Sequence, residues 1–271
     1  MISPEKMRPR NPGLHVAVPL VFASGAYALC AYVFGLWPLQ APAPARCGAG
    51  ASHYQVFVDP TGSNRHKENW EIEAPAFAQT LGSCDVVSFW TIDDNSSSGA
   101  ASGKPLEFPL LDPNAPGGVV VAVKQKIREV RVDVERRISA MLAQPGAKRS
   151  DVVGVFAKVE PREHMRNVLV VFSDGKESGA GISLEDGGAC VTPASVSGLA
   201  DRAMMNRVLR SAIGRFDAVK WVVPASSGKV GCNSRDELRL FWETMIARLA
   251  APDKPPALEF DTNLFTTRGR Q

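Results

Sequence analysis

The most conspicuous lack in the sequence is charge near the N-terminus, since no Asp, Glu, Lys or Arg occurs between Arg10 and Arg46. Within this interval, residues 14–37 are nearly all apolar or small. About 20 such residues are enough to cross the hydrocarbon core of a bilayer as a helix. We therefore expect one transmembrane helix at 14–37, preceded by a short segment at 1–13.

The charges that flank this interval predict its orientation. Lys6, Arg8 and Arg10 precede it, whereas only Arg46 follows it closely. Positively charged flanks stay in the cytoplasm, so we expect a cytoplasmic N-terminus and a single-pass protein whose remaining chain is periplasmic or extracellular. A cleaved signal peptide is the alternative, because Ala43-Pro44-Ala45 resembles a small-x-small cleavage site. The apolar core of a signal peptide spans only about 7–15 residues, which favours the anchor.

The sequence also has little net charge and few cysteines. The formal net charge is only +3 and basic residues are interspersed with acidic ones, which argues against a nucleic-acid partner. Cys30 lies in the predicted anchor, and no Cys-x-x-Cys spacing indicates zinc. The other four cysteines are an even number in an oxidising compartment, and they predict two disulfides in any of three pairings. These four are Cys47, Cys84, Cys190 and Cys232.

Motifs of several common enzyme classes are missing as well. Ser227-Gly228-Lys229 lacks the upstream glycine of a P-loop, and Gly179-Ala180-Gly181 does not open a dinucleotide-binding fingerprint. His53, His66 and His164 show no metal-binding or catalytic-triad arrangement. We expect these histidines at the solvent-exposed surface.

What the sequence does contain is an alternation of strands and helices. After an Ala-, Pro- and Gly-rich linker at 38–53, one domain is expected at 54–250, followed by a C-terminal tail at 251–271. Apolar runs predict strands at 54–58, 84–92, 106–110, 167–172, 218–223 and 257–260, the last as an edge strand. Helices are predicted at 67–81, 119–142, 150–159, 195–213 and 234–249, with a kink or break at Pro75. This order predicts an α/β fold with a doubly wound, mainly parallel sheet flanked by helices.

Two of the predicted strands end in an aspartate, at the edge of the sheet where proteins of this class bind ligands. Asp59 follows the first strand, and Thr61 and Ser63 alternate after it so that three oxygen atoms can converge. Asp174 follows Ser173 at the end of a later strand that is apolar throughout. Hard divalent cations prefer oxygen ligands. Each motif alone is ordinary turn composition, but together they predict a metal site.

These motifs resemble the metal-ion-dependent adhesion site (MIDAS) of von Willebrand factor type A (vWA) domains. Asp59-x-Thr61-x-Ser63 is similar to the family's Asp-x-Ser-x-Ser, with Thr in place of the first Ser. Ser173-Asp174-Gly175 matches the family's common Ser-Asp-Gly. The family's middle ligand is usually Thr, for which Ser150 is the best match and Asp151 an alternative, and no Gly-Gly-Thr stretch is present.

The resemblance covers nearly all of the chain after the predicted anchor, and it implies a vWA/Rossmann-like fold. It also implies one Mg²⁺ ion, with Mn²⁺ or Ca²⁺ as alternatives, held by five residues of this sequence. These are Asp59, Thr61, Ser63, Ser150 and Asp174.

The function that the resemblance implies is protein binding, not catalysis. A membrane-tethered adhesion or scaffold module of this kind binds another protein through an acidic side chain that reaches the cation. Two alternatives stay open. Asp59-Pro60-Thr61-Gly62-Ser63 is also similar to the phosphorylation loop of P-type ATPases and of haloacid dehalogenase-like phosphotransferases and phosphatases, where the first Asp is the nucleophile. The other alternative is a structural vWA-like domain that binds no metal.

The family's strand order also implies which cysteines pair. In that order the first strand lies between the second and the fourth, and the strand after the fourth lies next outward. Cys47 and Cys84 then share one end of the sheet, and Cys190 and Cys232 share the other. A disulfide needs Cα atoms within roughly 7 Å, so the resemblance implies the pairs Cys47–Cys84 and Cys190–Cys232.

Overall fold

The computed structural model describes residues 47, 50–60, 68–96, 101–179, 181–185, 187–205, 215–225, 232–250 and 255–267. The predicted anchor at 14–37 lies outside these residues, as do Thr61, Ser63 and His66. In the part of the chain that the structure describes, no helix is both long and apolar enough to span a bilayer.

One six-stranded sheet forms the centre of the domain, in the order β3-β2-β1-β4-β5-β6. The strands are β1 (Ser52–Val58), β2 (Val86–Thr91), β3 (Leu106–Glu107), β4 (Arg166–Phe172), β5 (Ala218–Val222) and β6 (Ala257–Asp261). All neighbours pair in parallel except β2 and β3, which are antiparallel. The predicted fold class and the strand order implied by the resemblance are therefore confirmed.

Helices cover both faces of this sheet, because the central strands are apolar on both sides. The helices are α1 (Glu68–Thr80), α2 (Gly117–Leu142), α3 (Val196–Met205) and α4 (Arg235–Leu249). Helices α1 and α2 pack against one face, around Val56, Val170 and Phe172. Helices α3 and α4 pack against the other face, around Leu169 and Trp221.

Two of the predicted helices differ from those observed. Helix α1 contains Pro75 and continues through it, so of the predicted kink or break the break is wrong. The segment predicted as a helix at 150–159 contains only a five-residue 3₁₀ helix, Val153–Ala157. This segment is buried among the apolar side chains of the α3/α4 face, and it has no polar face of the kind that stabilises a surface α-helix.

Strand order reverses between β1 and β4, and this position determines where a ligand can bind. The chain proceeds from β1 to β2 in one direction and from β4 through β5 to β6 in the other. The two central strands are in register, with Val58 opposite Phe172, and the Asp59 N–H donates to the Phe172 carbonyl at 2.9 Å. The carboxyl ends of β1 and β4 therefore lie side by side at the topological switch point, where α/β sheets bind their ligands.

The residues after β6 belong to the same folded unit. The carboxylate of Glu73, a fully buried residue of α1, accepts hydrogen bonds from the backbone N–H groups of Phe265 and Thr266, at 2.7 and 3.3 Å. On the preceding turn, the Asn69 side chain donates to the carbonyls of Val223 and Thr262. Side chains of helix α1 therefore hold the segments that follow β5 and β6 in place by hydrogen bonds.

Both disulfides implied by the resemblance are present. Cys47 pairs with Cys84, with their Cα atoms 5.6 Å apart, and Cys190 pairs with Cys232 at 5.4 Å. The first closes the end of the sheet where β1 and β2 begin. The second joins the chain beyond β4 to the chain beyond β5.

His53 is buried, so its predicted place at the surface is wrong. Only 3% of the residue is exposed, and its Nε2 shares a 3.1 Å hydrogen bond with Ser88 Oγ on β2. Burial, together with the positive charge of Arg162, lowers the pKa of His53 to about 4. His164, by contrast, is exposed as predicted.

The buried imidazole predicts a loss of stability in mild acid. The unfolded chain binds a proton on His53 below pH 6.5, whereas the folded chain does so only near pH 4. Falling pH across this window therefore favours unfolding, by up to about 3 kcal/mol. We expect His53→Gln, whose amide can keep the contact to Ser88, to lose this contribution in urea unfolding measured between pH 4 and pH 7. His164→Gln is the matched control, and equal pH dependence in the two variants would contradict the assignment.

Candidate metal site

Asp59 lies at the centre of the candidate site, directly after β1. Its side chain is fully buried and faces hydroxyl groups from two other segments. Ser173, directly after β4, donates to Asp59 Oδ2 at 2.8 Å, and Ser150 Oγ lies 3.4 Å from Oδ1. An ionised carboxylate can be buried only where such donors compensate the loss of water. Three segments therefore meet at one carboxylate.

The segment that carries Ser150 is held from both sides by backbone hydrogen bonds. Toward β4, the Ser150 N–H donates to Ser178 Oγ at 2.7 Å, and the Ser178 N–H donates to the Ser150 carbonyl at 2.9 Å. Toward β2, the Asp151 N–H donates to the Asp93 carbonyl at 2.7 Å. Ser150 is fully buried, and these hydrogen bonds hold its backbone where its hydroxyl oxygen lies 3.4 Å from Asp59 Oδ1.

Two further buried carboxylates stabilise this arrangement by accepting from backbone N–H groups. Glu177 Oε2 accepts from Val153 N at 2.6 Å, and Oε1 accepts from Gly179 N at 2.5 Å. Asp151 Oδ1 accepts from Gly154 N at 2.8 Å, within its own turn. Of the two alternatives for the middle ligand, Ser150 is therefore the one whose side chain contacts Asp59.

Two tryptophans fix the backbone where β4 ends. Trp221 Nε1 donates to the Ser173 carbonyl at 3.0 Å, and Trp242 Nε1 donates to the Gly175 carbonyl at 2.8 Å. Gly175 has φ +76°, and a Cβ there would lie 3.0 Å from Trp242 Nε1. Both the left-handed backbone and the close indole therefore require glycine after Asp174.

Asp174 is buried and carries an ion pair. Its residue is only 3% exposed, its Oδ1 accepts from the Lys176 N–H at 3.0 Å, and its Oδ2 lies 3.7 Å from Lys176 Nζ. The turn therefore folds back on itself, so that the lysine ammonium lies beside the carboxylate of a predicted metal ligand.

The structure brings together part of the predicted ligand set. Asp59 and Ser150 are in contact, and Asp174 directly follows Ser173, which contacts Asp59. Thr61 and Ser63 lie outside the described residues. Within the described ranges, no group of three or more His, Cys, Asp or Glu side chains is arranged to hold a metal ion; the predicted set contains only two carboxylates.

The structure adds three residues to the site that the predicted ligand set did not contain. They are Ser173, Lys176 and Glu177. The sequence holds a signal for Ser173, because parallel pairing of the two strands that end in Asp59 and Ser173 puts these residues side by side. The positions of the Lys176 and Glu177 side chains depend on how the turn after β4 folds, and the sequence contains no pattern that predicts this turn.

Comparisons with known proteins give only distant structural similarities. No protein-family model and no curated protein sequence matches the chain. A von Willebrand factor type A protein from Catenulispora acidiphila superposes with a TM-score of 0.42 at 12% identity, covering 82% of this chain and 41% of that one. This chain thus spans less than half of that protein's length.

Two Bacteroides proteins are also similar in structure. An aerotolerance-related membrane protein from Bacteroides fragilis matches with a TM-score of 0.34 at 10% identity, over 81% of this chain and 96% of that one. BatB from Bacteroides thetaiotaomicron matches with a TM-score of 0.30 at 9% identity, over 82% and 94%. Both matches combine a low sequence identity with a low TM-score.

The hydrogen bonds of Glu177 predict that its charge stabilises the site. Glu177→Gln keeps the size of the side chain but can accept from only one of the two N–H groups, so one buried donor loses its partner. We expect the free energy of unfolding to fall by about 1–3 kcal/mol, measured by urea denaturation. Glu163→Gln, at an exposed position, should change it by less than about 0.5 kcal/mol. Equal effects of the two substitutions would show that Glu177 has no special role.

Proposed function

We propose that this chain is a membrane-tethered, non-enzymatic module that binds another protein through one divalent cation at the Asp59 site. The observation that carries the proposal is the convergence of Ser150 and Ser173 on the fully buried Asp59 carboxylate. Each of the three residues comes from a different segment of the chain, and they meet at the carboxyl ends of β1 and β4.

The described side chains fit a hard cation in chemical type. They supply carboxylate and hydroxyl oxygens, which Mg²⁺ prefers, with Mn²⁺ and Ca²⁺ as alternatives, and they include no sulfur or imidazole. In the proposal Asp59, Ser150 and Asp174 hold the ion together with Thr61 and Ser63. The two carboxylates formally neutralise a divalent ion, while hydroxyls add no charge. The ion therefore stays attractive to an acidic side chain of a partner protein.

The burial of Asp59 also argues against the phosphotransferase alternative. A nucleophilic aspartate must be reached by a phosphorylated substrate, with one oxygen in line with the phosphorus. Both oxygens of Asp59 instead face serine hydroxyls, and the residue has no exposed surface. A divalent ion needs only one of the about four lone-pair positions of a carboxylate and no in-line approach, so the two serine contacts leave room for it.

Replacing Asp59 tests the proposed ion directly. Asp59→Asn preserves shape but removes one of the two negative charges, and we expect Mg²⁺ affinity to fall at least about 100-fold in titration calorimetry. Even outer-shell partners of metal ligands contribute about 10–100-fold. Asp85→Asn is the matched control: Asp85 is also buried, but it accepts from Ser52 N and Gly82 N at the opposite end of the sheet. It should lower stability and leave Mg²⁺ binding unchanged.

The same variants test partner binding. Proteins captured on the immobilised full-length chain in Mg²⁺ should be released by a chelator and should not be captured by Asp59→Asn. Chelator-resistant capture would remove the cation from the mechanism. If Asp59→Asn binds Mg²⁺ like the unaltered chain, the site is wrongly located.

The proposed membrane tether, with a cytoplasmic N-terminus and a periplasmic or extracellular domain, has a separate test. The chain, tagged at both ends and expressed in a bacterial host, should stay in the membrane fraction after alkaline carbonate extraction. In intact spheroplasts, added protease should remove the C-terminal tag and spare the N-terminal one. Loss of the N-terminal tag during maturation would indicate a cleaved signal peptide instead, and a soluble full-length chain would exclude the anchor.

A further inference from the structure

Lys176 is more enclosed than the lysines in typical surface ion pairs. Its side chain is 13% exposed and that of Asp174 is 4% exposed, with Nζ 3.7 Å from Oδ2. By contrast, Lys126 on α2 is 61% exposed in its pair with Glu129. Withdrawing an ammonium group from water is unfavourable unless a counter-charge compensates it. The Asp174 carboxylate supplies that counter-charge.

The other buried carboxylates near this turn have their own donors. Glu177 accepts from the N–H groups of Val153 and Gly179, and Asp151 accepts from that of Gly154. Asp59 accepts from two serine hydroxyls. Asp174 differs from these carboxylates because its charged partner is the ammonium of Lys176. The same carboxylate is also a proposed cation ligand.

We propose that Lys176 and the divalent cation compete for Asp174, so that the lysine neutralises this carboxylate in the metal-free protein and is displaced into solvent when the cation binds. This inference rests on the proposed metal-binding function. It adds that the cation replaces the lysine ammonium at Asp174 when it binds. Two positive charges within a few ångströms of one buried carboxylate repel each other strongly. The lysine can leave at little cost, because its ammonium is carried on a flexible four-carbon stem.

Displacement has a consequence for the partner. Counting Asp59, Asp174 and Lys176, the formal charge of the site is −1 without the ion and +1 once a divalent ion is bound. The loaded site therefore carries a net positive charge that the metal-free site lacks. This favours a partner with two acidic groups, one for the ion and one for the lysine.

Calorimetric titration of the full-length chain with Mg²⁺ tests the competition. Lys176→Met keeps the length of the side chain but removes the charge, and we expect it to tighten Mg²⁺ binding at least about tenfold, equivalent to about 1.4 kcal/mol. Lys176→Arg keeps the charge and should bind Mg²⁺ no more tightly than the unaltered chain. Lys148→Met is the matched control, because it removes a charge from an exposed lysine two residues before Ser150 and should change affinity less than about twofold.

Chemical labelling gives a readout that does not depend on affinity. Acetylation of Lys176 by an amine-reactive ester, followed by peptide mass spectrometry, should be slow in chelator and at least several-fold faster in saturating Mg²⁺. The acetylation rate of Lys148 should be the same in both conditions. At a Mg²⁺ concentration that saturates the unaltered chain but not the weakly binding Asp59→Asn, Lys176 of that variant should stay slow to react.

The outcomes separate this inference from the proposed function. Tighter binding by Lys176→Met, with faster labelling of Lys176 in Mg²⁺, supports the competition. Equal Mg²⁺ affinity in Lys176→Met and the unaltered chain overturns it and leaves the metal site standing. If neither folded protein binds Mg²⁺, Mn²⁺ or Ca²⁺, the proposed function fails and the competition fails with it.

Discussion

The burial of the Asp59 carboxylate is the constraint around which this end of the molecule is organised. A charged group without exposed surface costs several kcal/mol unless hydrogen bonds replace its water. Here the replacement comes from Ser173 and Ser150, which arrive on separate segments. The segments after β1 and β4 and the one that carries Ser150 are therefore restricted in position by one carboxylate.

That restriction extends outward through a second set of contacts. Glu177 and Ser178 connect the turn after β4 to the Ser150 segment, while Trp221 and Trp242 hold the same turn against the α3/α4 face. Supporting contacts of this kind favour a cation site, because they hold the ligands in the geometry that the ion requires. On the same turn, the Lys176 ammonium lies 3.7 Å from Asp174 Oδ2.

The sequence predicted the features that depend on local pattern or on strand order. Apolar runs located the strands, Asp59 and Asp174 stood at their ends, and the order implied by the family resemblance selected both disulfide pairs. Features that depend on tertiary packing were not predicted. His53 is buried in the folded chain, beside a pocket that Glu160, Pro161 and Arg162 also line. The segment Val153–Ala157 is a 3₁₀ helix whose first four residues are buried. In the observed strand, which begins at Ser52, His53 lies on the same face as the core residue Phe57. The predicted strand begins at residue 54 and therefore leaves His53 out.

The contacts of Glu73 with Phe265 and Thr266 connect residues separated by 192 and 193 positions along the chain. Contacts of such high sequence separation form late, because the entropy of closing the long loop is lost before the contact is gained. During synthesis, residues up to Thr266 must therefore leave the ribosome before Glu73 can form these two contacts. Until then Glu73 is hydrated, and β5 has no neighbour on the side where β6 will pair. Such exposed strand edges are typical of the folding intermediates on which chaperones act.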